Sequence, residues 1–134
     1  MLDAGPLVAL FDADDRFHMH FRSMVTDRAQ SMNLYTTWPC VVEASHLLGD
    51  VTRLQMLKWI GLGGAQPFSF DAPDVVEMTG WMQRYTEQPR TRMDFADASL
   101  YWLAQETGVS TIMTLDVRDF SRYRLPDGRA FEIL

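Results

Sequence analysis

Short apolar runs alternate with longer amphipathic stretches along this chain, and that alternation sets the expected elements. Leu2 suggests a very short first strand, Asp3-Ala4-Gly5 a turn, and Pro6 the start of a helix through Leu7-Val8-Ala9-Leu10. Proline suits a first helical position because the N–H it lacks would be unpaired there anyway. Asp14-Asp15 break this helix, and a second amphipathic one is expected over residues 16 to about 29. Residues 34–37 are β-prone and end at Trp38-Pro39. Two helices should follow over 41–48 and 53–60, each stopped by glycine, at Gly49 and at Gly61.

In the second half, Phe68-Ser69-Phe70 alternates like a brief strand. Val75, Val76, Met78, Met82 and Tyr85 give residues 74–85 helical periodicity. Pro89 marks the next loop. Residues 94–106 read as a helix that opens with carboxylates and is closed by Gly108. Thr111-Ile112-Met113-Thr114-Leu115 is the best candidate for a central buried strand, and residues 130–134 for a final one. Helices and short strands alternating in this way favour a layered α/β fold with a mainly parallel sheet of four or five short strands. Without repeats or linkers, the 134 residues are expected to form one domain.

Composition narrows the function classes only a little. The longest uncharged stretch, residues 29–42, contains Gln, Ser, Asn, Thr and Pro and does not suit a membrane span. No basic segment precedes an apolar one at the start, so secretion has no support. Cys40 is the lone cysteine and fits a reducing cytoplasm. The net charge of −6 argues against holding nucleic acid by bulk electrostatics. Eleven of the twelve cationic residues are arginine, and seven of these lie between Arg84 and Arg129, a composition that suits phosphate better than lysine would.

The candidate chemistry is acidic. Asp3, Glu43, Asp97 and Asp116 each stand where an apolar run meets a helix or turn. In a parallel sheet the strand C-termini converge on one crevice, where ligands bind. Two carboxylates about 4 Å apart repel by roughly 4 kcal/mol at an effective dielectric near 20. A divalent cation is the natural reason for several to coexist, so a metal-dependent hydrolytic site is the leading reading. Taken singly, each residue has an ordinary explanation. Asp3 could cap a helix, Glu43 could be a surface residue, and Asp94 with Asp97 could complement a helix dipole. Turn formation would account for Asp116 or Asp119.

Four segments, L-D-A-G-P-L-V-A-L-F-D-A-D-D-R-F-H at 2–18, T-T-W-P-C-V-V-E-A-S-H-L-L-G at 36–49, M-D-F-A-D-A-S-L at 93–100 and T-L-D-V-R-D-F at 114–120, together resemble the PIN-domain ribonucleases, especially the VapC-like toxins of toxin–antitoxin pairs. The resemblance implies a three-layer α/β/α domain with an acidic site for Mg²⁺ or Mn²⁺. It makes Asp3, Glu43, Asp97 and Asp116 the acidic set, with Asp94 and Asp119 in supporting roles. It also implies an RNA substrate, cleavage by water to 5′-phosphate and 3′-hydroxyl ends, a cognate antitoxin and a homodimer. Two departures stand out: only Met1 and Leu2 precede Asp3, and Ala4-Gly5-Pro6 occupies positions where the family often has Ser or Thr.

Arg118, Arg122 and Arg124 are candidates for phosphate contacts, with a solvated surface as the competing role. Trp38, Tyr101 and Trp102 could stack on bases, although core packing is expected for most of them. Two competing functions remain: a PIN-like nucleic-acid-binding or scaffold protein that has lost cleavage, and a phosphoacceptor receiver domain. The receiver needs a lysine after a late strand, whereas Lys58, the sole lysine, falls early and in an expected helix.

Overall fold

The computed structural model describes residues 1–28, 30–86 and 92–134. The expected loop at Pro89 and the end of the second helix at Ala29 lie outside them. The described residues form seven helices and four short strands, a mixed α/β fold.

Asp3 sets the first helix. Its side chain accepts a hydrogen bond from the Ala4 N–H at 2.7 Å and caps α1 (Ala4–Phe11). The helix therefore begins two residues before Pro6, which sits within the first turn, where its missing N–H costs nothing. After α2 (His18–Asp27) comes β1 (Tyr35–Thr37), and α3 (Trp38–Leu47) starts directly from its last residue. Pro39 falls in the first turn of α3, so Trp38-Pro39 opens a helix as well as ending a strand. Next are α4 (Asp50–Gly61), β2 (Gln66–Phe68) and α5 (Ala72–Thr86). The chain closes with α6 (Phe95–Thr107), β3 (Thr111–Ile112), α7 (Val117–Phe120) and β4 (Glu132–Ile133).

Strand pairing is parallel throughout the named strands. Tyr35 lies opposite Gln66 and Thr37 opposite Phe68, while Thr111 lies opposite Glu132 and Ile112 opposite Ile133. The expected sheet of four or five strands is present as two separate two-stranded sheets. Residues 1–3 bond to both: Leu2 N–H donates to Tyr35 O at 2.7 Å, and Asp3 N–H to Met113 O at 3.1 Å. Thr36 adds a buried hydroxyl bond to Leu2 O at 2.8 Å. The first strand is thus a single bridge, Leu2 to Met113, held on both sides.

Two strands differ from expectation for physical reasons. The one expected at 68–70 lies at Gln66–Phe68, because its partner β1 runs out at Thr37 where α3 begins, and Phe70 packs edge-on against Phe95 and Trp102 instead. The one expected over 111–115 shortens to Thr111–Ile112, since Thr114 turns its hydroxyl to Asp3 and the chain bends into α7.

Helix α6 is the centre of the core. All nine residues from Ala96 to Ala104 are buried, as expected of a helix that is apolar nearly all round. Leu100 and Leu103 are fully enclosed, each contributing about 1.5–3 kcal/mol by burial. Gly108 ends the helix with φ of 73°, a left-handed conformation that glycine enters without steric cost. Helix α6 packs on β1, α3 and α5, and α1 on α2, α3 and α4. No helix among the described residues is long and apolar enough to cross a membrane.

Candidate active site

Asp3, Glu43, Asp94, Asp97 and Asp116 line one depression of about 310 Å³, together with Gly5, Leu47 and Leu115. Five carboxylates from four regions of the sequence therefore share one surface. Asp3 and Asp97 form the buried floor, 9% and 6% exposed, and Glu43, Asp94 and Asp116 form the exposed rim.

Both floor carboxylates accept hydrogen bonds, among the described residues Asp3 from two donors and Asp97 from one. Asp3 Oδ1 accepts from the Ala4 N–H, and its Oδ2 accepts the Thr114 hydroxyl at 2.7 Å. Asp97 Oδ2 accepts the Tyr123 hydroxyl at 2.8 Å. Asp94 caps α6, its Oδ1 accepting from the Asp97 N–H at 2.9 Å, so it is both a structural cap and a member of the acidic set. Behind the floor, Thr37 and Ser99 share a buried hydroxyl–hydroxyl bond of 2.6 Å that ties β1 to α6.

Crowding shows in the acidities. Burial, then the Asp94 charge, pushes Asp97 up to about 8 against the Tyr123 hydrogen bond, with Asp3 and Asp116 adding to the rise. Asp3 is raised by burial first, against its bonds to Thr114 and Ala4. Glu43 is raised by partial desolvation and by Asp94, Asp3 and Asp116. Asp116 is raised by desolvation and by Asp119, partly offset by Arg118. No ion pair joins any of the five to Lys or Arg among the described residues. This is an acidic cluster, with hard oxygen donors of the kind that Mg²⁺ and Mn²⁺ take. Among the described residues, no three such side chains already stand in metal-holding geometry.

The other sequence candidates separate. Asp119 is buried outside the depression, 3.3 Å from Arg118 Nε, and acts on the site through its charge on Asp116. Arg118, Arg122 and Arg124 are exposed and do not line the depression. Arg124 Nη1 donates to the Ser121 and Tyr123 carbonyls, both at 2.8 Å. Tyr101 and Trp102 are core residues, whereas Trp38 is 46% exposed. Cys40 is buried, receives the Thr37 hydroxyl at 3.3 Å, and has its thiol pushed up by burial.

Sequence reasoning missed Thr114 and Tyr123. A hydroxyl was not expected beside Asp3, because none follows it in the chain; Thr114 supplies one from across the fold. A second cavity, of about 550 Å³, lies at the start of β1 and β2, lined by Tyr35, Trp59, Gly64 and Gln66 among others. It is the larger of the two but contains none of the acidic residues. No protein-family model matches the chain, and no curated protein matches it.

Proposed function

We propose that the chain is a metal-dependent endoribonuclease of the PIN type, hydrolysing RNA phosphodiester bonds, with the toxin of a toxin–antitoxin pair as its biological role. The observation that carries the reading is the convergence of Asp3, Glu43, Asp94, Asp97 and Asp116 on one depression, none of them in an ion pair with Lys or Arg among the described residues. The finer fold goes with it: the two strand pairs and residues 1–3 act as one parallel sheet in a three-layer α/β/α domain. The backbone bonds of residues 1–3 to Tyr35 and Met113 support this.

Asp3, Asp97 and Asp116 are the residues we assign to Mg²⁺ or Mn²⁺, with Glu43 assisting from the rim. When bound, such an ion supplies an activated water and stabilises charge on the phosphoryl oxygens. The protein's own groups fix the donors. Thr114 holds the Asp3 carboxylate, Tyr123 holds that of Asp97, and Asp94 anchors the helix end from which Asp97 projects. Leu47 and Leu115 line the same depression. Hydrolysis of this kind does not use the RNA 2′-hydroxyl and leaves 5′-phosphate and 3′-hydroxyl ends. A cognate antitoxin and a homodimer belong to the same proposal, and exposed Leu47, Val51 and Leu54 offer apolar surface for either.

The test is cleavage of end-labelled RNAs, structured tRNA included, with Mn²⁺ or Mg²⁺ and with chelator, comparing wild type with Asp97→Asn. Metal-dependent products with 5′-phosphate ends that vanish in the variant support the proposal. A 2′,3′-cyclic phosphate end contradicts it. RNA binding without cleavage would instead identify a non-catalytic PIN-like binding protein.

A further inference from the structure

An apolar groove of about 570 Å³ adjoins the acidic depression, and Glu43 and Asp94 line both. Its walls are aromatic: Trp38 from the start of α3, Phe95 from the start of α6, and Phe70 from the loop after β2. Trp38 is 46% and Phe95 41% exposed, unusual for rings of this size on a surface with a well-filled core beneath. Neither ring is loosely placed. The Trp38 indole donates to Ser69 Oγ at 3.2 Å, fixing one edge and leaving much of the ring surface bare. Phe95 packs edge-on against Phe70, centroids 5.7 Å apart at 87°, and Phe70 in turn packs on buried Trp102.

Charge decides what the groove can take. The protein carries −6, and the depression beside the groove is itself anionic, so the field opposes a phosphate backbone. Arg124 is occupied by backbone carbonyls and Arg118 by Asp119. A polyanion held here must derive much of its affinity from its uncharged parts, and the uncharged part of RNA that aromatic faces bind is the base. Carboxylates at the groove edge add acceptors for the exocyclic amino groups of adenine, guanine or cytosine.

We infer that the Trp38–Phe70–Phe95 groove is a base-stacking subsite that receives an unpaired nucleobase next to the scissile phosphate. The inference rests on the nuclease reading for its geometry, since the two residues shared by groove and depression set the base within about one nucleotide of the cut. It places specificity for single-stranded RNA on stacking, with arginine clamps secondary.

The experiment walks a single abasic ribose through a short single-stranded RNA and measures cleavage with Mn²⁺ by wild type, Trp38→Ala, Trp38→Phe and Phe95→Ala. For wild type, one abasic position adjoining the cut should lower kcat/KM on the order of tenfold to a hundredfold. That penalty should collapse towards unity in Trp38→Ala and Phe95→Ala and persist in Trp38→Phe. An equal penalty in wild type and Trp38→Ala overturns the inference. So does a uniform loss in Trp38→Ala at every abasic position. Circular dichroism verifies that the variants fold. If no RNA is cut, the nuclease reading fails while the groove is still decided. Anisotropy binding of the same oligonucleotides either shows base discrimination that Trp38→Ala removes, or shows none and rejects the subsite. An apolar peptide that binds the groove where no oligonucleotide does also rejects it.

Discussion

Thr114 and Asp3, 111 residues apart in sequence, share a buried hydrogen bond of 2.7 Å in which the threonine hydroxyl donates to Asp3 Oδ2. The Thr114 hydroxyl oxygen in turn accepts the Asp116 N–H at 2.9 Å. One hydroxyl therefore sets the position of two members of the acidic cluster relative to each other, one through its carboxylate and one through its backbone.

Replacing that hydroxyl with a methyl group should uncouple the two. Thr114→Val keeps the shape but leaves a buried carboxylate oxygen and a backbone N–H short of a partner, at a cost of about 1–3 kcal/mol. Because Asp3 and Asp116 lose their common anchor, the proposed nuclease activity should also fall on the order of tenfold or more, with Thr114→Ser restoring most of it. Denaturant unfolding beside initial cleavage rates checks both. A stable Thr114→Val with full activity would mean the hydroxyl anchors nothing of consequence.

Asp97 should make the metal-free protein lose stability as pH rises from about 4 to 8. Burial and the neighbouring Asp94 charge push its pKa in the fold up to about 8 from an ordinary 3.8. Between those values the native state holds a proton that the unfolded chain has lost, so stability is greatest below about pH 4 as far as this group is concerned. It declines as pH rises towards 8. Asp97→Asn should flatten that decline and raise the melting temperature near pH 8. Mg²⁺ should stabilise the wild type more at pH 8 than at pH 5, since a protonated carboxyl is a poor ligand. Thermal melts across pH, with and without Mg²⁺, read this directly. A wild-type curve parallel to that of Asp97→Asn would count against a crowded Asp97.

At the other end of β1, Gly64 tests whether the second cavity is independent of the acidic one. A Cβ there would meet the Trp59 ring at 2.0–2.3 Å, so the indole must be displaced. Gly64→Ala should cost about 1–3 kcal/mol of stability as an overpacking substitution. The activity of the folded fraction should stay at the wild-type level, because no acidic-site residue lines that cavity. Urea unfolding with active-site titration separates the two effects. Loss of activity in fully folded protein would show the ends to be coupled.

Much of the site was legible because helix starts betray themselves in sequence. Asp94 three residues before Asp97, ahead of an apolar stretch, marks a capped helix, and the structure gives that cap along with a place on the rim. Asp3 and Asp116 were legible as residues ending apolar runs. The depth of each was not, since periodicity says which face is buried and not that Asp97 is enclosed while Asp94, on the same helix end, is exposed. Strand lengths were overestimated for a related reason. Thr111 to Leu115 is continuously β-prone, yet pairing stops once Thr114 is used by Asp3. Thr114 and Tyr123 were invisible as site residues because their partners lie 111 and 26 positions away. Local pattern carries no record of such distances.

Two substitutions around Asp97 should move its titration in opposite directions. The Tyr123 hydroxyl holds the Asp97 pKa down by stabilising the carboxylate, whereas the Asp94 charge raises it. In Tyr123→Phe the carboxylate loses its donor, so Asp97 should ionise at higher pH and the acidic limb of the pH–rate profile should shift to alkaline values. Asp94→Asn preserves a side-chain oxygen to accept from the Asp97 N–H, keeping the cap, but removes the neighbouring charge. Its acidic limb should shift to lower pH. Profiles of kcat/KM with saturating Mn²⁺ can resolve the two shifts, and Mn²⁺ affinity measured against pH should follow the same order without depending on turnover. Both variants moving the same way would show that the limb belongs to another group, and the assignment of Asp97 as the titrating member of the cluster would fall.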